Sequence, residues 1–177
     1  MMDRRASSRS GYFAGHVGRK LFLVDIENYC GRPVLTEEDV AFVKEDLSET
    51  CGVSESDLVV IGTSHSSNLF YSEIGWPSAR QVIMLGHDGA DKALIDVVAE
   101  YRIETFVEVV LLSGDGIFSG VVETIRRSGV SVTVSSLARS LGGSLASVAT
   151  RVHTLSVPSR RRGSVLRKVG WHIINVR

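Results

Sequence analysis

The sequence is poor in cysteine, proline and aromatic residues, and these shortages exclude several classes of protein. Its 177 residues include 2 Cys, 3 Pro and 7% aromatics. Cys30 and Cys51 have neither the spacing of a zinc site nor the number that a disulfide framework needs. No apolar run approaches the roughly 20 residues that cross a bilayer, and residues 1–20 contain no apolar signal-peptide core. We therefore expect a cytoplasmic protein without a membrane partner.

The remaining composition is that of one globular domain with basic ends. The chain is 44% hydrophobic and 23% charged, with a net charge of zero, as in ordinary globular proteins. Five of the 20 Lys and Arg lie in residues 1–20, and six lie in residues 157–177, where there is no acid. Basic ends around an acidic middle favour a polyanionic partner, because Lys and Arg contact phosphates. Ends that serve only solubility are the alternative.

Apolar runs typical of buried strands alternate with amphipathic stretches typical of helices. The pattern predicts strands over 20–25, 57–62, 80–85, 107–112, 130–134 and 152–155. It predicts helices over 37–50, 66–74, 91–102, 117–128 and 144–150. Strands that alternate with helices of this length imply right-handed crossovers and a mostly parallel sheet. The strand at 130–134 alternates polar and apolar residues, so we expect it near an edge of the sheet.

Three segments follow from this pattern. Residues 1–19 form a basic N-terminal arm, residues 20–156 a single α/β domain, and residues 157–177 a basic C-terminal tail. The tail also carries apolar side chains, which make it a candidate contact with the domain, with a second copy or with another protein: Trp171, Ile173, Ile174 and Val176.

Acidic residues follow three of the predicted strands. Asp25 ends the first, Asp91 follows the third and Asp115 follows the fourth. Ligands of open parallel sheets bind at the carboxyl ends of the strands, where the strand order reverses. If the first and fourth strands are neighbours, Asp25 and Asp115 face each other there and Asp91 approaches from the side. The alternatives are that Asp91 caps a helix and that Asp115 forms a turn.

Converging carboxylates repel one another, and a divalent cation removes that penalty. Mg²⁺ or Mn²⁺ prefers oxygen ligands. Such a cation polarises a phosphoryl oxygen and lowers the pKa of a bound water, which is the chemistry of phosphodiester hydrolysis. The acidic strand ends therefore favour a phosphate-processing metal site.

Three segments resemble the motifs of the NYN family, which belongs to the PIN-like superfamily of metal-dependent ribonucleases. They are Leu23 to Tyr29 (LVDIENY), Gly89 to Asp96 (GADKALID) and Leu112 to Phe118 (LSGDGIF). The resemblance covers about residues 20–156. It implies a PIN-like, three-layer α/β/α sandwich with a mostly parallel central sheet, and RNA as the partner.

The resemblance also implies roles for individual residues. Asp25, Asp91 and Asp115 would hold Mg²⁺ or Mn²⁺, and Asn28 would orient a ligand, water or substrate beside the first carboxylate. Independently of the resemblance, Asn28 and Ser113 are candidates for substrate contact, and Arg139, near a later strand end, either holds a phosphate or is simply solvated. Two further acids lie in these motifs: Asp96, a weaker candidate, and Glu27, which is expected to point away from Asp25 if the extended strand continues.

One position departs from the family pattern. Ile117 stands where the third motif usually carries a second Asp, which makes a tight two-metal site less favoured. The hypothesis is a metal-dependent endoribonuclease that hydrolyses RNA phosphodiester bonds. The alternative is a catalytically weakened or inactive RNA-binding or regulatory module of the same fold. A metal-dependent phosphatase for small molecules is a third interpretation.

Overall fold

Seven strands form one sheet in the computed structural model, which describes residues 18–155 and 171–175. They are Lys20–Asp25 (β1), Leu58–Thr63 (β2), Arg80–Ile83 (β3), Glu108–Leu112 (β4), Ser131–Leu137 (β5), Arg151–Leu155 (β6) and Trp171–Asn175 (β7). Their order is β3-β2-β1-β4-β5-β6-β7. The first six strands are parallel and β7 runs antiparallel to β6. The order reverses between β1 and β4, which are neighbours. This is the condition under which the sequence predicts that acidic strand ends meet.

Helices cover both faces of this sheet. They are Ile26–Cys30 (α1), Glu37–Cys51 (α2), Ser66–Gly75 (α3), Gly89–Glu100 (α4), Ser119–Arg127 (α5) and Gly143–Val148 (α6), with 3₁₀ turns at Ile103–Thr105 and Gly116–Phe118. The buried side chains of α1 and α2 form a hydrophobic core on one face of the sheet. Those of α4, α5 and α6 form a second core on the other face. The expected three-layer α/β/α sandwich with a mostly parallel sheet is confirmed.

The central strand β1 shows why this sequence forms two cores. Side chains of a strand alternate between the two faces of the sheet. Leu21 and Leu23 therefore join the core under α4 and α5, whereas Phe22 and Val24 join the core under α1 and α2. All four side chains are at most 1% exposed. The continuous apolar run of β1 is thus the signature of a strand buried on both faces.

The expectation that the fifth strand lies near an edge is wrong. β5 pairs with β4 on one side and with β6 on the other, and every residue of it after Ser131 is buried. Buried polar side chains of β5 form hydrogen bonds: the Thr133 hydroxyl donates to Glu108 Oε1 over 2.6 Å, and the Ser136 hydroxyl donates to the Leu137 carbonyl over 3.1 Å. The Thr and Ser residues of this strand therefore face the interior of the protein and not the solvent.

The sheet continues beyond the boundary expected at residue 156. β7 lies in the segment that the sequence assigns to the basic tail, and it pairs with β6 from Arg151 opposite Asn175 to Leu155 opposite Trp171. The rest of the tail and the N-terminal residues 1–17 lie outside the described residues. Within the described ranges, no helix combines the length and apolar character needed to cross a membrane.

Candidate functional site

The carboxyl ends of the central strands open into a cleft of about 350 Å³. β1 and β4 are neighbours, with Val24 opposite Leu112, so the residues that follow these strands meet at one edge. The cleft is lined by Asp25, Glu27, Asn28, Gly31, Arg32, Pro33, Ser64, Asp88, Gly89, Ala90, Asp91 and Ser140. Of the expected site residues, the structure therefore brings Asp25, Asn28 and Asp91 to one cavity.

Asp25 ends β1 and is held in place by two donors. It is 3% exposed; its Oδ2 accepts from the Ser113 hydroxyl over 2.9 Å and its Oδ1 accepts from the Asn28 backbone N–H over 3.3 Å. Burial, followed by the negative charge of Asp91, raises the pKa of Asp25 well above its ordinary value. Burial disfavours the charged form, and a second carboxylate adds to this effect.

Asp91 lies against Asp25 from the first turn of α4. Its side chain is hydrogen-bonded to that of Asp25, which requires a proton on one of the two carboxyl groups. Burial is the first cause of a raised pKa at Asp91, and the charges of Asp115, Asp88 and Glu27 also raise it. The hydrogen bond with Asp25 lowers the pKa of Asp91. Among the described residues, the buried Asp91 Oδ1 has no hydrogen-bond partner.

The alternative that Asp91 merely caps α4 does not hold. The N-cap position belongs to Asp88, whose φ is 55°. The next residue, Gly89, approaches the Met84 carbonyl so closely that a Cβ would lie 1.8 Å from the oxygen. With this close approach at Gly89, the helix begins two residues earlier than expected. The Asp91 side chain therefore lies in the first turn and faces Asp25.

Asp115 lies within electrostatic reach of this pair but has a structural partner of its own. Its Oδ1 accepts from the Ile117 backbone N–H over 2.9 Å and so caps the 3₁₀ turn at Gly116–Phe118. It still raises the pKa of Asp91 through its charge. Among the described residues, no three His, Cys, Asp or Glu side chains form a group that could hold a metal ion. The geometry is that of a carboxyl pair with a third acid beside it.

Asn28 and Ser113 connect the strand ends to each other. Asn28 Oδ1 accepts from the Gly114 backbone N–H over 3.0 Å. The buried Ser113 hydroxyl donates to Asp25 and accepts from the Asp115 backbone N–H over 3.1 Å, so both of its hydrogen-bonding roles are filled within the protein. Asn28 lines the cleft, and its Nδ2 donates no hydrogen bond within the described part of the chain.

The expectation that Glu27 points away from Asp25 is wrong. α1 begins at Ile26, directly after Asp25, so the extended strand ends there. Glu27 therefore lines the same cleft. Its carboxylate accepts from the Ser64 backbone N–H over 2.8 Å, from the Ser64 hydroxyl over 2.5 Å and from Asn68 Nδ2 over 2.6 Å. Gly31, with φ of 67°, ends this short helix. A glycine at this position is the sequence feature from which the helix could have been predicted.

Two arginines stand at the mouth of the cleft. Arg32 is part of its lining. Arg139, expected to contact substrate, is exposed and follows β5; its Nη2 lies 3.0 Å from the point that a Cβ on Gly31 would occupy. No carboxylate of the described residues pairs with Arg139. The weaker candidate Asp96 is exposed on α4.

Comparison with known proteins supports the fold. The structure is similar to the crystal structure of a protein of unknown function from Vibrio parahaemolyticus, with a TM-score of 0.51 and 22% sequence identity over 77% of this chain and 91% of that chain. No protein-family profile and no curated protein matches the sequence. The resemblance to the NYN motifs therefore stays a prediction.

Proposed function

We propose that this protein is a divalent-cation-dependent ribonuclease that hydrolyses RNA phosphodiester bonds at the Asp25–Asp91 pair. One observation carries the proposal: two buried carboxyl groups face each other where the strand order reverses. Burial raises the pKa of both, and within the described ranges neither carboxyl group forms an ion pair with a cationic side chain. Buried acids without a cationic partner are costly to a fold and are characteristic of functional sites.

The donor set fits Mg²⁺ or Mn²⁺. These ions take one or two carboxylates and fill their remaining positions with water, so a pair suffices. Asp91 Oδ1, which has no hydrogen-bond partner among the described residues, would supply a buried ligand atom, and a cation would compensate the negative charge of the pair. Asp115 would act through a bound water or by its charge. When bound, the cation supplies Lewis-acid polarisation of a phosphoryl oxygen and an acidified water.

The chain's own residues orient the reacting groups. Ser113 and the Asn28 backbone N–H fix the Asp25 carboxylate, while Asn28 Oδ1 holds the strand ends together through Gly114. The Asn28 Nδ2 group donates to a substrate oxygen in the cleft. Arg139 binds a phosphate at the mouth, because a guanidinium matches phosphate oxygens in geometry and charge.

The turn after β1 favours RNA hydrolysis over dinucleotide binding. The order β3-β2-β1-β4-β5-β6 also occurs in dinucleotide-binding folds, where a glycine-rich turn after β1 holds the pyrophosphate. Here that turn carries Asp25, Glu27 and Asn28, and its carboxylates would repel a pyrophosphate. The basic segments 1–19 and 157–177 would instead contact the RNA backbone.

We also propose a cytoplasmic location. Cys30 and Cys51 are both free thiols. Reducing compartments keep thiols in this state, so the observation supports the cytoplasm.

Cleavage of labelled RNA tests the proposal. The protein would be incubated with single-stranded and structured RNA in Mn²⁺, in Mg²⁺ and in EDTA. We expect cation-dependent cleavage that Asp25→Asn and Asp91→Asn each reduce by about 100-fold or more, with a smaller loss in Asp115→Asn. Asp96→Asn, on the exposed face of α4, is the matched control and should retain activity. Cleavage that survives in the first two variants, purified identically, would refute the assignment.

A second candidate function is a weakened or inactive RNA-binding module. Ile117 occupies the position of the missing family carboxylate and is 39% exposed, while Asp115 is engaged in capping the turn. This candidate predicts salt-sensitive RNA binding without turnover. A gain of cation-dependent cleavage in Ile117→Asp would indicate a decayed catalytic site; no gain in a folded, inactive variant would indicate binding alone.

A further inference from the structure

The lining of the cleft carries one positive side chain among several negative ones. Four carboxylates line it, from Asp25, Glu27, Asp88 and Asp91, and among the described residues of the lining Arg32 is the only cation. A phosphate that enters this cavity meets repulsion everywhere except at a bound cation and at Arg32. The position of this guanidinium therefore decides where an anionic substrate rests.

The loop that carries Arg32 is fixed at several points. Gly31 takes up the left-handed conformation after α1, and the Arg32 backbone N–H donates to the Glu27 carbonyl over 3.1 Å. Further along, the buried Asn68 side chain donates to the Pro33 carbonyl over 2.8 Å and accepts from the Leu35 N–H over 3.0 Å. These bonds hold Arg32 at the cleft before any ligand arrives.

An ion pair orients the Arg32 side chain but does not use all of its hydrogen-bond donors. One of its terminal nitrogens, Nη2, pairs with Asp39 Oδ1. The other oxygen of Asp39 accepts from the backbone N–H and the hydroxyl of Thr36. The carboxylate therefore does not form a bidentate ion pair with the guanidinium. Arg32 Nε is buried and has no hydrogen-bond partner among the described residues, but 31% of the side chain is exposed. A ligand in the cleft would therefore meet the exposed part of the guanidinium.

We propose that Arg32 is a phosphate-binding residue of the substrate strand, holding a phosphate beside the one at Asp25 and Asp91. This inference rests on the proposed function, since it places RNA in the same cleft. Arg139 stands on the other side of Gly31 and contacts the same strand further out. Asp39 keeps the guanidinium in position and limits its mobility. Little binding energy is therefore lost in ordering the Arg32 side chain when a phosphate binds.

RNA affinity of matched variants tests this role. A labelled single-stranded RNA would be titrated in Ca²⁺, with the wild type, Arg32→Ala, Arg32→Lys, Asp39→Asn and Arg102→Ala. We expect Arg32→Ala to weaken binding by about 10- to 100-fold and to reduce the salt slope by about 0.7. Arg32→Lys should recover part of the affinity. The exposed Arg102, at the opposite end of α4, is the control and should match the wild type.

Asp39→Asn separates a structural role from a binding role. It breaks the same ion pair as Arg32→Ala but keeps the guanidinium, so it should lose far less affinity than Arg32→Ala, with a small loss because the guanidinium is no longer held in position. If Arg32→Ala fails to fold because Asp39 is left buried and unpaired, the double variant Arg32→Ala/Asp39→Asn removes both charges. It should fold and still lose binding.

The outcomes separate this inference from the proposed function. If the wild type binds RNA and folded Arg32 variants bind it equally well, Arg32 has no role in binding and the proposed function is untouched. Inorganic phosphate, monitored by the chemical shift of the Arg32 side chain, is the second probe. If Arg32 binds phosphate but the wild type binds no RNA, the anion site stands and the ribonuclease proposal falls. If neither ligand binds, both are overturned.

Discussion

At the scale of single residues, the site is a local conflict between burial and charge. Asp25 and Asp91 have raised pKa values because burial and mutual repulsion disfavour their ionised forms. In the pH range between the unfolded and folded pKa values, the folded state binds more protons. Its stability therefore falls as pH rises through that range, and the full penalty is present above it. At neutral pH the cation-free fold carries this cost.

Replacing Asp91 with Asn should stabilise the cation-free protein. The change removes the repulsion and leaves an amide that donates to Asp25, so we expect a gain of about 1–2 kcal/mol at pH 7.5, or a few degrees in Tm. Thermal melts in EDTA measure it, with Asp96→Asn as the control. The gain should shrink as pH falls toward 4, where the pair keeps its protons. A lower Tm than the wild type at pH 7.5 would contradict this explanation.

Replacing Ser113 with Ala should affect both stability and titration. The Asp25 Oδ2 atom and the Asp115 N–H lose their partner, which costs about 1–3 kcal/mol. Because the Ser113 bond lowers the pKa of Asp25, its loss should move the midpoint of the pH dependence of Mn²⁺ binding to higher pH. Ser147→Ala, on the exposed side of α6, is the control. An unchanged midpoint would show that the bond does not tune Asp25.

The residue scale also shows what sequence reasoning could predict. An acid at the end of a continuous apolar strand, as at Asp25, indicates a buried carboxylate that needs a partner. The orientation of Glu27 was not predictable from strand periodicity, because the strand ends at Asp25 and the helical turn that follows places the Glu27 side chain in the cleft. The capping role of Asp115 was one of the two alternatives that the sequence left open.

At the scale of elements, the loops after β4 and β5 are locked together. The Gly142 N–H donates to the Gly114 carbonyl over 2.8 Å. A Cβ on Gly114 would lie 2.2 Å from the Ser140 carbonyl oxygen. The Asn28–Gly114 bond continues this contact to β1. The site is therefore held by backbone contacts that tolerate no side chain at Gly114.

Gly114→Ala and Gly120→Ala form a matched pair that tests this close approach. Alanine at 114 must separate the two loops, so we expect a loss of about 2 kcal/mol or more and weaker Mn²⁺ binding. At Gly120, in α5, a Cβ meets nothing within 4 Å. Alanine there should stabilise the protein by about 0.5–1 kcal/mol. Urea unfolding of both variants provides the measurement, and equal effects at the two positions would argue against the lock.

Element boundaries were predictable where caps and periodicity agreed. α2 follows Thr36, whose side chain and that of Asp39 form a capping box, and Gly52 ends it. α4 began earlier than expected because its N-cap, Asp88, takes up a left-handed conformation that sequence pattern does not reveal. β5 was misplaced because its polar residues, such as Thr133, lie in the interior, so their alternation with apolar residues does not indicate a solvated face.

At the scale of the whole molecule, chain order brings distant acids together. The reversal between β1 and β4 places the ends of two strands side by side, and α4 reaches them over β1 and β2. Strand alternation was enough to predict the parallel sheet and the edge at which a site would form. It could not predict β7, which follows a long basic segment, or that Asp25 pairs with Asp91 and not with Asp115.

Binding of Mn²⁺, measured by calorimetric titration at pH 7.5, tests the central claim most directly. We expect one site in the wild type that is lost in Asp91→Asn and kept in Asp96→Asn, the exposed acid on the same helix. Affinity should fall as pH decreases, because the cation competes with protons for the carboxyl pair. Absence of binding in the wild type, or equal binding in Asp91→Asn, would contradict the assignment of the carboxyl pair as a cation site.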